Sequence, residues 1–161
     1  MKITEKDFPT IPAAEYSERV EKFRKAMAKD GIDFAVAFSN LLDPSTVRYF
    51  MGFSPVNESA AIIIPQSGKV TLCSGQASYD YALGENKLED SEIAVLPEIG
   101  EVSGFEYDFS GQLDFSELFD SIAANSGGIK KIGVIGRLTF PAIIYNKLKA
   151  AFPSAELVDY D

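Results

Sequence analysis

Between residues 15 and 30 the apolar positions Tyr16, Val20, Phe23 and Met27 recur at intervals of three and four, which lays one stripe along a helix. Glu18, Arg19, Glu21, Lys22, Lys25 and Lys29 fall mostly on the other face, and Gly31 supplies a stop. The period then changes. Phe34-Ala35-Val36-Ala37-Phe38 is an unbroken apolar run, and residues 33–38 predict a buried strand. Residues 44–51 predict one short helical turn, with Asp43 as its cap and Pro44 in its first position, where a missing N–H costs nothing. Gly52 ends that turn, with Tyr49, Phe50 and Phe53 around it. Residues 60–65 and 69–73 flank Gln66-Ser67-Gly68 and predict a β-hairpin.

Further along, residues 77–83 predict a helix closed by Gly84, and residues 92–96 a fourth strand followed by a polar loop over 97–112. Residues 114–124 predict a helix with Asp114 near its start and Leu118, Phe119 and Ile122 inward. Asn125-Ser126-Gly127-Gly128 is a turn, residues 131–136 a strand, and residues 139–152 a helix with Pro141 in its first turn. Residues 155–160 are a last strand. A hairpin combined with strand–helix–strand units implies an α/β fold: a mixed sheet flanked by helices. The last unit should be a right-handed parallel crossover. The 161 residues suit a single domain, with residues 1–14 as an extended N-terminal arm.

Charge sharpens this picture. The net charge is −9. Ten acids, Glu89, Asp90, Glu92, Glu98, Glu101, Glu106, Asp108, Asp114, Glu117 and Asp120, lie between Leu88 and Ile129, a stretch without Lys or Arg. The rest holds 14 acids and 15 bases, so the whole excess sits in one segment. That disfavours a nucleic-acid partner, since a phosphate backbone needs cations to displace its counterions. It permits a basic protein surface or a cationic ligand group. No apolar run approaches the roughly 18 residues of a membrane span. The charged, proline-broken start is unlike a signal peptide. The one cysteine, Cys73, excludes an internal disulfide and suits a reduced, cytoplasmic setting.

The chain has no histidine, which removes Ser-His-Asp and Cys-His nucleophile systems and histidine-containing zinc motifs. Carboxylate-only metal binding, with Asp33 beside Asp43 or Glu58, is weighed against the plainer roles of strand start and helix cap, and the plainer roles are preferred. Cys73 should be a buried, inert thiol. Arg48 is either in a local ion pair with Asp43 or an anion clamp or interface arginine. Glu98, Glu101, Glu106 and Asp108 interleave with Phe105, Tyr107 and Phe109. That loop either folds its rings under itself or recognises a substrate ammonium or a neighbouring subunit.

The order of these elements, with ERVEKFRKAM, GIDFAVAF, DPSTVRYFMGF, AAIIIP and KVTLC, resembles the N-terminal domain of the creatinase/prolidase family, from Tyr16 to Asp161. The sharpest part is Val47-Arg48-Tyr49-Phe50-Met51-Gly52-Phe53, similar to the family's N-x-x-Y-L-T-G-F type of signature. Phe50 and Met51 depart from its commonest residues but stay bulky and apolar. The resemblance implies a ribonuclease H-like mixed sheet without catalytic residues or metal ligands of its own. It implies a parent hydrolase, a metallopeptidase such as an Xaa-Pro dipeptidase or aminopeptidase. Two manganese or cobalt ions would be held in a C-terminal catalytic domain by two Asp, one His and two Glu. It also implies a homodimer, with the peptide substrate meeting a pocket that this domain helps to shape. Arg48, Tyr49, Phe53, Tyr79, Tyr81, Glu106 and Tyr107 are the candidates for pocket or interface. Tyr79 and Tyr81 could equally be the apolar face of a short helix. A rival reading is a catalytically inactive module that binds basic proteins through its acidic segment.

Overall fold

The structure is a computed structural model and describes residues 10–100 and 113–161. Its first helix, α1, spans Ala13–Asp30, so it starts two residues before the predicted position and takes in Ala13 and Ala14. Strand β1 follows at Phe34–Ser39, helix α2 at Ser45–Met51, and the hairpin strands β2 and β3 at Ala60–Pro65 and Val70–Ser74. Helix α3 is Tyr79–Glu85, strand β4 Ser91–Val95, helix α4 Phe115–Asn125, strand β5 Lys131–Ile135, helix α5 Ala142–Ala151 and strand β6 Glu156–Asp159.

Among the described residues the strands form one sheet in the order β4-β3-β2-β1-β5-β6. Strand β2 runs antiparallel to both neighbours, and the β3–β4, β1–β5 and β5–β6 pairs are parallel. Five strands therefore point one way and only β2 points back. The predicted hairpin and the parallel β5–α5–β6 unit are both present.

Both faces of the sheet are covered, as an apolar run with no polar alternation requires. Successive side chains of a strand point to opposite faces. Phe34 and Val36 of β1 join Ala61 and Ile63 of β2 and Ile132 and Val134 of β5 under α4 and α5, with Phe115, Phe119, Ile144 and Leu148. Ala35 and Ala37, with Ile62 and Ile64, face α1, α2 and α3, whose Tyr16, Val20, Met27, Val47, Phe50 and Ala82 complete the second core. No helix among the described residues is long and apolar enough to cross a membrane.

Each helix differs from the sequence reading by one to three residues at one end or more, and α3 and α5 show why. A 3-10 turn, Gln76–Ser78, leads into α3, and Gly84 lies inside the helix rather than closing it. The chain leaves α3 at Asn86, because Lys87 N–H donates to the Met51 carbonyl at 2.8 Å and draws the backbone towards α2. Helix α5 begins three residues late. Residues 136–140 make turns of their own, with Thr139 N–H on the Gly136 carbonyl, and Pro141 is the extended cap residue instead of part of the first turn.

Candidate functional site

The segment 43–53 is knitted together by short-range hydrogen bonds. The Asn40 Oδ1 accepts from the N–H of Leu42 at 2.9 Å and of Asp43 at 3.0 Å. The Asp43 Oδ1 accepts from Ser45 N–H at 3.2 Å and from the Ser45 hydroxyl at 2.5 Å. The Ser45 hydroxyl, then the Ser45 N–H, hold the Asp43 carboxyl below its ordinary value. The start of α2 is thus one position later than predicted: Pro44 occupies the cap and Asp43 bonds across it. The carboxylate is engaged by Ser45, and the expected Asp43–Arg48 ion pair does not form. Arg48 is exposed and, among the described residues, makes no side-chain hydrogen bond or ion pair.

Helix α2 buries Val47, Phe50 and Met51 and leaves Arg48 and Tyr49 at the surface. Gly52 stops it with φ 75°, a conformation that L side chains avoid, and its N–H donates to the Arg48 carbonyl. Glycine is needed there for space as well. A β-carbon would lie 2.8 Å from Cγ of Lys87 and 3.2 Å from the Tyr16 ring. Beside this stop the Arg19 guanidinium stands 5.1 Å from the Tyr16 ring centroid and 4.6 Å from that of Tyr49. It also donates to the Tyr49 carbonyl at 2.8 Å and pairs with Glu15.

The other candidates divide. Phe53 is fully buried, so it meets no partner itself; its ring lies 5.5 Å from Tyr81 and supports that side chain from below. Tyr81 is 40% exposed, Tyr49 is 47% exposed and Tyr79 is half-buried. Tyr79 and Tyr81 share α3, whereas Arg48 and Tyr49 share α2. Glu106 and Tyr107 lie outside the described residues.

The residues weighed as metal ligands have other partners. The Asp33 Oδ2 accepts from the N–H of Lys130 at 2.7 Å and of Lys131 at 2.9 Å, which ties β1 to β5. Glu58 is 3% exposed; its Oε2 accepts from Ser78 N–H at 2.9 Å, and its Oε1 has no partner. Among the described residues no group of three or more His, Cys, Asp and Glu side chains is arranged to hold a metal ion. The donor set of a two-metal hydrolase centre therefore does not fit these residues. Cys73 is fully buried, and burial, reinforced by Glu98 and Glu92, pushes its thiol far up, out of the range of nucleophiles.

Two features of this region were not drawn from the sequence, although one of them could have been. Lys147 of α5 pairs with Glu98, and with Asp114 at 2.7 Å, so two of the ten acids share one cation inside the fold. Asp114 also forms a capping box with Glu117: each side chain accepts from the other's backbone N–H, at 2.9 and 3.1 Å. The box is legible as D-x-x-E, but the lysine is not, being 33 residues away.

The creatinase/prolidase N-terminal domain model matches residues 19–161. No curated protein sequence matches the chain. Among solved structures, the chain is similar to a recombinant prolidase from Thermococcus sibiricus, with 18% identity, 94% of this chain and 35% of that one covered, and a TM-score of 0.63. It is similar to an Xaa-Pro dipeptidase from Bacillus anthracis, with 18% identity, 91% and 34% covered, and a TM-score of 0.61. It also resembles the creatinase/prolidase N-terminal domain of an X-Pro dipeptidase from Streptococcus pyogenes, with 14% identity, 89% and 99% covered, and a TM-score of 0.58. The chain thus spans about a third of the two longer structures and nearly all of the domain. With the signature segment, the two-faced mixed sheet and the match over residues 19–161 in agreement, the chain belongs to the creatinase/prolidase N-terminal domain family.

Proposed function

We propose that this chain is the non-catalytic N-terminal domain of a metal-dependent Xaa-Pro peptidase, a dipeptidase or aminopeptidase, or of a related amidohydrolase. On this reading it shapes the substrate pocket and supports dimerisation. The observation that carries the reading is the extent of the match: the family domain accounts for residues 19–161, and the same fold takes up about a third of two Xaa-Pro peptidases. The two divalent ions, manganese or cobalt, belong in this reading to the catalytic domain, and no chemical step is assigned to the present chain. Its contribution is surface. On this reading Tyr81 and Tyr79 on α3, beside Phe53, and Arg48 and Tyr49 on α2 are the side chains that would meet a substrate, a catalytic domain or a second subunit.

The test has three arms. The purified chain with added manganese should leave an Xaa-Pro dipeptide intact; hydrolysis would overturn the non-catalytic assignment. The reading frame beyond Asp161 should encode an ordered Asp, Asp, His, Glu, Glu set, and its lack would overturn the parent enzyme. Analytical ultracentrifugation of the parent protein should show a dimer that weakens when Tyr81 is replaced by Ala; a monomer at all concentrations would remove the dimerisation role.

A further inference from the structure

Three cationic side chains, Arg19, Arg48 and Lys87, line one surface groove of about 480 Å³ between α1, α2 and the chain that follows α3. Among the described lining residues the one carboxylate is Glu85, and Arg19 is paired with Glu15, so in a protein with net charge −9 the local positive excess rests on Arg48 and Lys87. We propose that the groove is a binding site for a small ligand bearing an oxyanion, a phosphate or a carboxylate.

The three cations are held in different ways. Arg19 is fixed: its guanidinium lies against the rings of Tyr16 and Tyr49 and is hydrogen-bonded to Glu15 and to the Tyr49 carbonyl. Compensated by Glu15, it contributes a rigid wall rather than net charge or free donors. Lys87 is positioned by its stem, whose Cγ occupies the space left by the missing side chain of Gly52. Among the described residues its ammonium makes one bond, to the Gly84 carbonyl at 3.1 Å, and an ammonium has three donors. Arg48 stands on the exposed face of a helix anchored by Val47, Phe50 and Met51. Arg19 and Arg24 both have carboxylate partners, whereas Arg48 has none among the described residues. A guanidinium fork with free donors beside a lysine matches the planar or tetrahedral oxygens of a carboxylate or phosphate. The Tyr49 ring, 47% exposed, offers an apolar wall for the body of such a ligand. The volume lies within the range of small-molecule sites, roughly 300–1,000 Å³.

The glycine stop of the signature segment thereby acquires a second consequence. By admitting the lysine stem and the Tyr16 ring, Gly52 brings Lys87 into the same groove as Arg48. This inference is independent of the proposed function, because it is read by binding and not by peptidase activity.

The experiment is an amide NMR titration of the 161-residue chain with sodium phosphate and, separately, sodium acetate, each against sodium chloride at matched ionic strength. Saturable shifts confined to residues around Arg48, Tyr49, Gly52 and Lys87 are expected, and the oxyanion that saturates at lower concentration identifies the preferred group. The double variant Arg48→Ala, Lys87→Ala should lose at least tenfold in affinity, and Glu85→Gln should gain a fewfold. Shifts that follow ionic strength and are reproduced by chloride would overturn the proposal, and that result needs no variant. Saturation undiminished in a folded double variant would overturn it too.

Discussion

The Glu58 carboxylate fills the space above Gly75: a β-carbon built on that glycine would lie 2.4 Å from both Cδ and Oε2 of Glu58. The contact is buried, and the same Oε2 holds the start of the 76–85 helical segment by accepting from Ser78 N–H. Gly75→Ala must therefore displace a buried carboxylate or shift the loop. A destabilisation of about 2–4 kcal/mol is expected, combining overpacking with a lost buried hydrogen bond. Glu58→Gln preserves shape and acceptor and should change stability by less than about 1 kcal/mol. A double-mutant cycle of Gly75→Ala with Glu58→Ala, followed by urea denaturation, should show coupling of at least about 1 kcal/mol; additivity would refute the contact.

Lys147 links Glu98 to Asp114, joining α5 to the start of α4 and the segment after β4. The Lys147→Met variant leaves Glu98 poorly compensated, with one of its oxygens buried and without a partner already. The pair is partly solvated, so a loss of about 1–3 kcal/mol in chemical denaturation is expected, below the cost of breaking a fully buried pair.

The same network sets a pH window. A hydrogen bond from Lys147, then one from Glu117 N–H, hold the Asp114 carboxyl below its ordinary 3.8. A depressed carboxylate adds stability that is present above its unfolded value and lost as pH falls through the folded one. Burial works against the Lys147 ammonium, but hydrogen bonds to Asp114 and Glu98 and their charges outweigh it, and the net shift is upward from 10.5. That contribution is complete below the unfolded value and lost as pH rises through the folded one. Stability should decline faster in wild type than in Lys147→Met below pH 3.8, and again above pH 10.5. Parallel melting curves for the two proteins across both limits would contradict this.

Tyr160 donates its hydroxyl to Asp30 at 2.7 Å. Burial, then the Asp30 hydrogen bond and charge, push the phenol up from 10.0 to about 12. Ultraviolet titration should therefore find a tyrosine step near pH 12. Asp30→Asn should bring that step down. Because the folded value is raised, the associated stability is intact below pH 10 and disappears as pH climbs towards 12.

Cys73 is shielded on all sides within β3 and its thiol is held protonated by burial. The native protein should react with a thiol reagent only at the rate at which the sheet opens, whereas denaturant should expose one thiol at once. Rapid labelling of the native chain would mean that β3 is not covered as described.

Much of the fold was legible because its determinants are local. The stripe of Tyr16, Val20, Phe23 and Met27, the run 34–38 and the turn at Gln66-Ser67-Gly68 each carry their own period or punctuation, and each formed the element expected. Boundaries failed where another group competed for the backbone or cap, distant in one case and local in another. Gly84 reads as a stop, yet α3 runs past it until Lys87 N–H reaches Met51. Asp43 reads as a cap with Arg48 nearby, but Ser45 takes the carboxylate first and Arg48 is left facing solvent. For the candidate site, the sequence put forward Arg48, Tyr49 and Phe53 alike, and only the fold shows the first two exposed and Phe53 buried, with its ring 5.5 Å from that of Tyr81.

Periodicity, glycine and proline placement, the 43–53 signature and the lack of histidine were enough by themselves to indicate a two-faced mixed sheet, its family and the missing nucleophile systems. Only the tertiary structure decided which charges meet. Asp33 holds the amides of Lys130 and Lys131, nearly a hundred residues on, because β5 inserts beside β1. Lys147 reaches Glu98 and Asp114 because α4 and α5 cover the same face. Lys87 enters the groove of Arg48 because Gly52 has no side chain to exclude it. Side-chain periods are properties of neighbours along the chain, whereas pairings across it follow from strand order, which no local pattern specifies.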